Sequence, residues 1–409
     1  MEKIFKPFVI NSNICTQKSD VLTYDSFMDA VACNTGNSYI TWSLLKELGC
    51  TVRSIDGYHI KNVYSYDFGK TDNDLALVNN DCSHVLLILQ DQIRINESYN
   101  YRLPFSDLKS FISKIKKPIL IAGLGANSFN GYDRDFYTKL DKELVDFLMF
   151  LSANCIEIGV RGEFTQDVLN KLGIKNTCVI GCPSYYERGK GREIIKPRYN
   201  KSLRIGTSIG VKVYGRGYVY LQDKQEEKII KMICFGEKSR YNLKELRLLK
   251  AGKYRIFSSI RDWQRDLKDN VDFYIGGRVH GSMVAMNCNI PTVVMNGDSR
   301  SREMCEYMNI PYHPELYGCG NVEKILSVCD YDKMNTEYNS KLEKYISFLK
   351  RNGFEYNPLP EQDDDVHIAI ASQYKDTIGE NIEACLSALG EMSKGTVHAV
   401  CSKIRKLIT

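Results

Sequence analysis

Short apolar runs alternate with helical patterns between residues 84 and 181. The run His84–Leu89 is apolar without alternation, which is typical of a strand buried on both faces of a parallel sheet. In Phe105–Ile115 the apolar residues recur every three or four positions, which predicts an amphipathic helix. The other predicted elements of this region are a helix at Ser38–Leu48, strands at Pro118–Ala122, Ile156–Val160 and Cys178–Gly181, and helices at Phe136–Leu151 and Glu163–Leu172. This order predicts a parallel sheet covered by helices.

The same alternation returns after residue 203. It predicts strands at Leu203–Gly210, Tyr254–Phe257, Val271–Ile275 and Pro291–Met295, and helices at Ser259–Asp269, Ser282–Cys288 and Arg302–Met308. Two such units resemble the GT-B class, an α/β fold of two Rossmann-like domains facing each other across a cleft. We therefore predict an N-terminal domain at 1–186, a polar linker at 187–202, a C-terminal domain at 203–335 and a helical extension at 336–409. Residues 211–250 give no readable order.

Composition narrows the function classes. The net charge of +5 comes from 55 basic and 50 acidic residues without a long basic run, so we expect no nucleic-acid partner. The 14 cysteines include no C-x-x-C pair, so we expect reduced thiols and no metal site. The first residues lack the apolar core of a signal peptide, and no run of about 18 apolar residues occurs. These features predict a cytoplasmic protein that does not span a membrane.

Two arginines follow predicted strands directly. Arg161 follows one strand of the first domain, and Arg278 follows one of the second, with His280 two residues later. Ligands of open α/β sheets bind at the carboxyl ends of strands, and a guanidinium grips carboxylate or phosphate with a fork that lysine lacks. The sequence predicts that these arginines clamp a small dianion and that His280 transfers protons near neutral pH. The alternatives are an interdomain salt bridge for either arginine and a structural role for the histidine.

Further polar residues follow other strands or begin helices. Candidates for the acceptor side or for the lining of the cleft are Asn37, Gly125, Asn127, Asp298, Arg300 and Glu303. A tight turn explains the glycine-rich segment 123–128 equally well. Helix capping is the commoner role of an aspartate or serine at 298–299.

Three blocks between about residues 155 and 311 resemble polysaccharide pyruvyl transferases. They are Asp272–Met283, which contains the R-x-H-G motif, Ile290–Glu303, and Ile158–Thr165 with Gly173–Ser184 after it. The loop Asn34–Asn37 resembles the glycine loop of that family more loosely.

The resemblance implies transfer of a pyruvyl group from phosphoenolpyruvate to two hydroxyls of a sugar, as a cyclic ketal with release of phosphate. It implies that Arg161 and Arg278 contact the donor, together with Val279, Gly281 and Ser282 of the motif, and that His280 is catalytic. Phosphoenolpyruvate is then the donor substrate, and no cofactor or metal is required. The acceptor is a sugar or a lipid-linked glycan, as in the synthesis of a capsule, exopolysaccharide or other cell-envelope polymer.

Two alternatives stay open. A GT-B glycosyltransferase would bind the diphosphate of a nucleotide sugar with the same arginines, and a non-catalytic glycan-binding protein would keep the fold without turnover. The closing segment Ser402–Leu407 is basic and apolar. It is a candidate for peripheral contact with the inner face of a membrane, although a solvated terminal helix is the commoner reading. The sequence does not specify the oligomeric state.

Overall fold

The computed structural model describes residues 5–16, 21–50, 60–61, 67, 70–95, 103–129, 131–208, 217–237, 245, 248–249 and 251–360. The helices within these ranges are α1 Tyr24–Ala30, α2 Thr35–Glu47, α3 Asp72–Asn80, α4 Phe105–Ser113, α5 Lys142–Asn154, α6 Glu163–Lys171, α7 Glu227–Phe235, α8 Ile260–Asn270, α9 Val279–Asn287, α10 Ser299–Met308, α11 Val322–Val328 and α12 Asp332–Arg351. The strands are β1 Pro7–Ile10, β2 Ile60–Lys61, β3 His84–Leu87, β4 Ile93–Arg94, β5 Ile119–Ile121, β6 Ala126–Asn127, β7 Ile158–Val160, β8 Thr177–Val179, β9 Ile205–Ser208, β10 Gly217–Tyr220, β11 Tyr254–Arg255, β12 Phe273–Gly276 and β13 Thr292–Val294.

The first half of the chain forms a parallel sheet in the order β2-β1-β3-β5. Val85 of β3 pairs with Phe8 on one side and Ile119 on the other. These central strands are buried because helices cover both faces, as their unbroken apolar runs predict. A parallel pair, β7 and β8, continues this half, and a bridge from Leu124 to Val160 links it to the end of β5.

The second half forms a five-stranded parallel sheet in the order β11-β10-β9-β12-β13. The carboxyl ends of its strands and those of the first sheet carry the residues that line one shared cleft. The predicted GT-B-like α/β fold, with two Rossmann-like sheets facing across a cleft, is confirmed.

Several predicted helices have different bounds in the structure. The segment Phe136–Leu151 divides into a 3₁₀ turn at Phe136–Lys139 and the helix α5, because the Asp141 side chain accepts a hydrogen bond from Leu144 N and starts a new helix there. Helix α9 begins at Val279 instead of Ser282, so His280 lies in its first turn. Helices α2 and α10 also begin three residues earlier than predicted, after the capping side chains of Asn34 and Asp298, whereas no side-chain hydrogen bond caps α9.

The predicted linker has no regular structure but is packed into the protein. Arg192 is 4% exposed, and its guanidinium lies between the rings of Tyr185 and Tyr338, 3.9 and 3.8 Å from their centroids. Glu187 is also buried, forms an ion pair with Lys46 and accepts a hydrogen bond from Gln264. The segment 187–202 therefore contacts both halves of the chain, and its polar side chains form these contacts.

Helix α12 packs back onto the first half of the chain. The Tyr345 hydroxyl donates a 2.6 Å hydrogen bond to the buried Glu47 of α2, and Arg351 pairs with Glu157 at 2.6 Å. The predicted boundary between residues 335 and 336 falls inside this helix, which starts at Asp332. The rest of the predicted extension, residues 361–409, lies outside the described residues, as does the segment Ser402–Leu407.

None of the helices within the described ranges has the length and apolarity needed to cross a bilayer. The twelve cysteines in those ranges are all free thiols.

Candidate active site

A polar cleft lies between the two sheets. Its lining includes six of the residues predicted from the sequence, namely Asn37, Arg161, Arg278, Val279, His280 and Arg300. They come from both halves of the chain: Asn37 from the first turn of α2, Arg161 from the end of β7, Arg278, Val279 and His280 from the segment where β12 leads into α9, and Arg300 from the first turn of α10. In this arrangement, residues that follow strands in the two halves of the chain line one cleft.

Arg161 is the most deeply buried cation of the cleft. It is 2% exposed, and the stem of its side chain packs over Gly125, where an added Cβ would approach Arg161 Cδ to 2.8 Å. Within the described residues, its guanidinium has no hydrogen-bond or ion-pair partner, and its Nε and Nη2 atoms are shielded from solvent. Burial of a charge without a direct partner is unfavourable, and this guanidinium can form hydrogen bonds with an anion.

Arg300 supplies a second cation from the start of α10. Its guanidinium bonds to Asp298 at 2.6 Å and to Asp91 at 2.9 Å. Burial alone would raise the pKa of Asp91, but Arg300, Arg161 and Arg94 together hold that pKa well below its usual range. Asp91 therefore stays ionised and fixes Arg300 against the cleft wall.

Arg278 lines the cleft from the other side, and two carboxylates hold it. Its guanidinium forms an ion pair with Asp223, and Nη2 lies 3.2 Å from Glu226, whose side chain is fully buried. Glu226 also accepts hydrogen bonds from the backbone N–H groups of Gln222 and Asp223. The sequence led us to expect an anion clamp of two arginines. In the structure Arg278 is bound directly by two carboxylates, whereas Arg161 interacts with the charges of Asp91 and Glu303 only at longer range and forms no ion pair with them.

His280 projects from the first turn of α9 towards the start of α2. An added Cβ on Gly36 would lie 2.7 Å from His280 Cβ, so the close approach of the two helices requires a glycine there. The ring Nε2 lies 3.7 Å from Cys182 Sγ. Burial lowers the pKa of His280 to about 3, and the positive charges of Arg161 and Arg300 act in the same direction. The expectation that this ring titrates near neutral pH disagrees with this lowered pKa, which keeps the imidazole neutral.

Some predicted residues support the cleft from behind. Gly281 packs on the Tyr274 hydroxyl and the Gln222 amide, and Ser282 is fully buried next to Gly276, so neither lines the cleft. Asn127 donates a hydrogen bond to Asp91, and Asp298 caps α10 by accepting from Ser301 N.

Glu303 lies behind Arg161. It is 2% exposed and accepts hydrogen bonds from both the backbone N–H and the hydroxyl of Thr165. Burial raises the pKa of Glu303 to about 7, while Thr165 and Arg161 oppose the increase. This carboxyl is therefore partly protonated near neutral pH.

Sequence reasoning missed Asp91 and Gln222. Asp91 follows β3, so the rule that selected Arg161 would also have selected it. Gln222 follows β10, which lies in the stretch whose order the sequence did not reveal. Its carbonyl accepts a hydrogen bond from Thr35 N, which joins the second sheet to the start of α2 beside the cleft.

Solved structures of similar overall shape have low sequence identity to this chain. The S. aureus MnaA–UDP structure is 11% identical with a TM-score of 0.40, and the alignment covers 88% of this chain and 100% of that one. HepE of Anabaena, solved with UDP and glucose, is 10% identical with a TM-score of 0.37, covering 94% and 99%. The Methanocaldococcus jannaschii UDP-GlcNAc 2-epimerase is 12% identical with a TM-score of 0.34, covering 94% and 100%. At these scores the likenesses carry no argument about function.

A comparison with curated proteins gave no match. The sequence model of one family, described as polysaccharide pyruvyl transferase, matches residues 34–299, from the loop at the start of α2 to the start of α10. That range contains Arg161, Arg278 and His280 and covers well over half of the chain. The chain belongs to the polysaccharide pyruvyl transferase family.

Proposed function

We propose that this protein transfers the pyruvyl group of phosphoenolpyruvate to two hydroxyls of a sugar in a polysaccharide or lipid-linked glycan precursor. The observation that carries the proposal is the buried guanidinium of Arg161, which has no partner within the described residues and lies in a cleft with Arg300, Arg278 and His280. Phosphoenolpyruvate carries a carboxylate and a phosphate, and each can accept forked hydrogen bonds from a guanidinium.

The reaction adds a proton to the methylene carbon of phosphoenolpyruvate and removes a proton from each of the two acceptor hydroxyls. A proton adds to the methylene carbon of the enol, which becomes a methyl group and leaves an oxocarbenium-like centre at C2. One hydroxyl attacks C2 and the second closes the ring, while the C2–O bond to phosphate breaks. Of the two protons lost by the hydroxyls, one balances the proton gained by the methyl group and the other leaves with phosphate.

In this scheme Arg161 neutralises the donor, and Arg300 adds charge of the same sign beside it. His280 is neutral before the donor binds, so it can accept a hydroxyl proton. Burial is the largest cause of the low pKa of the ring, and Arg161 and Arg300 lower it further. A bound dianion offsets these two charges and so shifts the ring towards its protonated form. Donor binding thereby prepares the same imidazole to protonate the enol.

Arg278 contributes to the donor site, but its own ion pairs reduce the positive charge that it offers a ligand. Its contacts with Asp223 and Glu226 fix its position, but they also offset its charge. We propose that it orients the donor while the burial of Arg161 supplies most of the affinity.

The test is a phosphate-release assay with the full chain, phosphoenolpyruvate and a panel of sugars that includes galactosides and N-acetylmannosamine, followed by product mass. We expect phosphate release that depends on the sugar, and a product heavier than the acceptor by one pyruvyl ketal. The variant Arg161→Met should strongly reduce release, whereas Arg265→Met, which removes an exposed arginine of α8, should not. Turnover of nucleotide sugars alone would support a glycosyltransferase instead, and sugar binding without any turnover would support a glycan-binding protein.

A further inference from the structure

Asp91 presents an unused hydrogen-bond acceptor to the cleft. Among the described residues that line the cleft it is the one carboxylate, and its side chain is 13% exposed. Both hydrogen bonds to this side chain, from Arg300 Nη1 at 2.9 Å and from Asn127 Nδ2 at 3.1 Å, end on the same oxygen, Oδ2. Within the described part of the chain, Oδ1 has no hydrogen-bond partner, and it is not sealed from solvent. One oxygen therefore binds the cleft wall, and the other can bind a ligand.

The backbone fixes the position of this carboxylate. Asp91 follows Gln90, whose φ of 51° is uncommon for a residue other than glycine. A hydrogen bond from Gln92 N to Leu89 O, at 3.1 Å, closes the turn, and Gly125 N donates to Gln90 O at 2.6 Å. Since these contacts exist before any ligand binds, little ordering of Asp91 is required on binding.

The charge around Asp91 defines the ligand that Oδ1 can take. Burial opposes ionisation of this carboxyl, but three neighbouring arginines hold its pKa well below the usual range. An ionised carboxylate only accepts hydrogen bonds, whereas a hydroxyl also donates them. Phosphoenolpyruvate with both acidic groups ionised has no donor, and the carboxylate repels it. The arginines disfavour a cation in the same place. The ligand that fits Oδ1 is therefore a neutral hydroxyl.

Arg300 does not depend on Asp91 alone. Asp298 accepts hydrogen bonds from Nε and Nη2 of Arg300, at 3.2 and 2.6 Å, whereas Asp91 accepts one from Nη1. Asp298 lies outside the lining of the cleft. The two carboxylates therefore both hold Arg300, but of the two only Asp91 can reach a ligand in the cleft.

We propose that Asp91 Oδ1 accepts a hydrogen bond from a hydroxyl of a neutral acceptor sugar, beside the donor cations Arg161 and Arg300. A cyclic ketal uses two hydroxyls of one sugar. Asp91 orients one of them, and His280 is left to accept the proton of the other. The assignment of this sugar as the pyruvyl acceptor rests on the proposed function. The contact with its hydroxyl rests on the open oxygen of Asp91, so the two are tested separately.

The binding test uses isothermal titration calorimetry of the full chain with galactosides, N-acetylmannosamine and their monodeoxy derivatives. It compares the wild-type protein, Asp91→Asn and the matched control Asp298→Asn. Each variant replaces one carboxylate partner of Arg300 with an amide of the same shape, and asparagine can still cap α10.

We expect the wild-type protein and the Asp298→Asn control to bind at least one parent sugar. Both should bind one monodeoxy derivative of that sugar at least tenfold more weakly, because the derivative lacks the hydroxyl that contacts Asp91. Asp91→Asn should bind the parent sugar at least tenfold more weakly than the wild-type protein does, and it should not distinguish the parent from that derivative.

Phosphate release from phosphoenolpyruvate is measured on the same preparations. Asp91→Asn should raise the KM for the sugar at least tenfold without raising the KM for phosphoenolpyruvate, because Arg300 keeps Asp298 and loses a counter-charge. Asp298→Asn should leave the KM for the sugar unchanged. If Asp91 served only to hold Arg300, its variant would raise the KM for phosphoenolpyruvate instead.

Unchanged sugar affinity in Asp91→Asn, a rise in the KM for phosphoenolpyruvate alone, or no binding of these sugars by the wild-type protein would each overturn the proposal. Sugar binding that depends on Asp91 but gives no phosphate release would contradict the proposed function and leave the contact intact. Phosphate release with unchanged sugar affinity in Asp91→Asn would do the reverse.

Discussion

His280 and Gly36 are in contact across the cleft, with His280 Cβ only 2.7 Å from the position of an added Cβ on Gly36. One residue belongs to the first turn of α9 and the other to the first turn of α2. The imidazole is therefore positioned by the opposite half of the chain. This contact makes the position of His280 depend on how the two halves pack.

The variant Gly36→Ala tests that dependence. Its methyl group would displace His280, so we expect phosphate release to fall at least tenfold while the helix content by circular dichroism is unchanged. Gly297→Ala is the control, because its methyl group would meet Pro314 Cβ at an ordinary 3.6 Å. Equal activity of the two variants would show that His280 need not occupy this position.

The variant Arg161→Met should change stability and activity in opposite directions. Methionine keeps the apolar stem over Gly125 and removes a buried charge that has no partner within the described residues. We expect the free energy of unfolding in urea to rise by about 1 kcal/mol. Phosphate release should fall by at least about 10², because charge-assisted hydrogen bonds are worth roughly 1.5–3 kcal/mol each. A clear loss of stability would mean that the guanidinium has a structural partner in the folded protein.

Removal of the Arg278 side chain should have the opposite effect on the free energy of unfolding. Arg278→Ala leaves the buried carboxylate of Glu226 without its cation, which should lower the free energy of unfolding by about 1–3 kcal/mol. Arg278→Lys keeps the charge, so it should fold normally but raise the KM for phosphoenolpyruvate, since lysine lacks the fork. If the alanine variant is as stable as the wild-type protein, the ion pairs with Asp223 and Glu226 do not contribute to folding.

The pH dependence of the free energy of unfolding should reflect the titration of His280. Its pKa is about 3 in the folded protein, below its ordinary 6.5, so the unfolded chain binds more protons between these values. The free energy of unfolding should therefore decrease as pH falls from 6.5 towards 3. Urea titrations of His280→Ala should show less of this decrease. Nuclear magnetic resonance of the ring should show no protonation above pH 5 until phosphoenolpyruvate is added.

The titration of Glu303 should change the free energy of unfolding with pH in the opposite direction. Burial raises its pKa from 4.5 to about 7, so between these values the folded protein holds a proton that the unfolded chain has released. This contribution makes the free energy of unfolding decrease as pH rises from 4.5 to 7. Glu303→Gln should remove it, and the variant should gain stability relative to the wild-type protein across that window. An unchanged pH profile would mean that Glu303 is ionised in the fold.

The architecture was predictable because strands buried in a parallel sheet appear in the sequence as unbroken apolar runs, and polar residues follow their carboxyl ends. That rule located Arg161, Arg278 and His280, and it applies to Asp91 as well. The counter-charges of Arg278 were not predictable, because Asp223 and Glu226 lie where periodicity gave no element. The resemblance implied that Ser282 contacts the donor, but this side chain is fully buried beside Gly276 and does not line the cleft.

The unpartnered charge of Arg161 also has a thermodynamic consequence. Any anion that pairs with it in the folded protein stabilises the fold by linkage, by about 2.7 kcal/mol at a hundred times its Kd. The melting temperature of the protein should then rise when the proposed donor binds. Small carboxylates and phosphates can be ranked by the melting shift they cause before the acceptor sugar is identified.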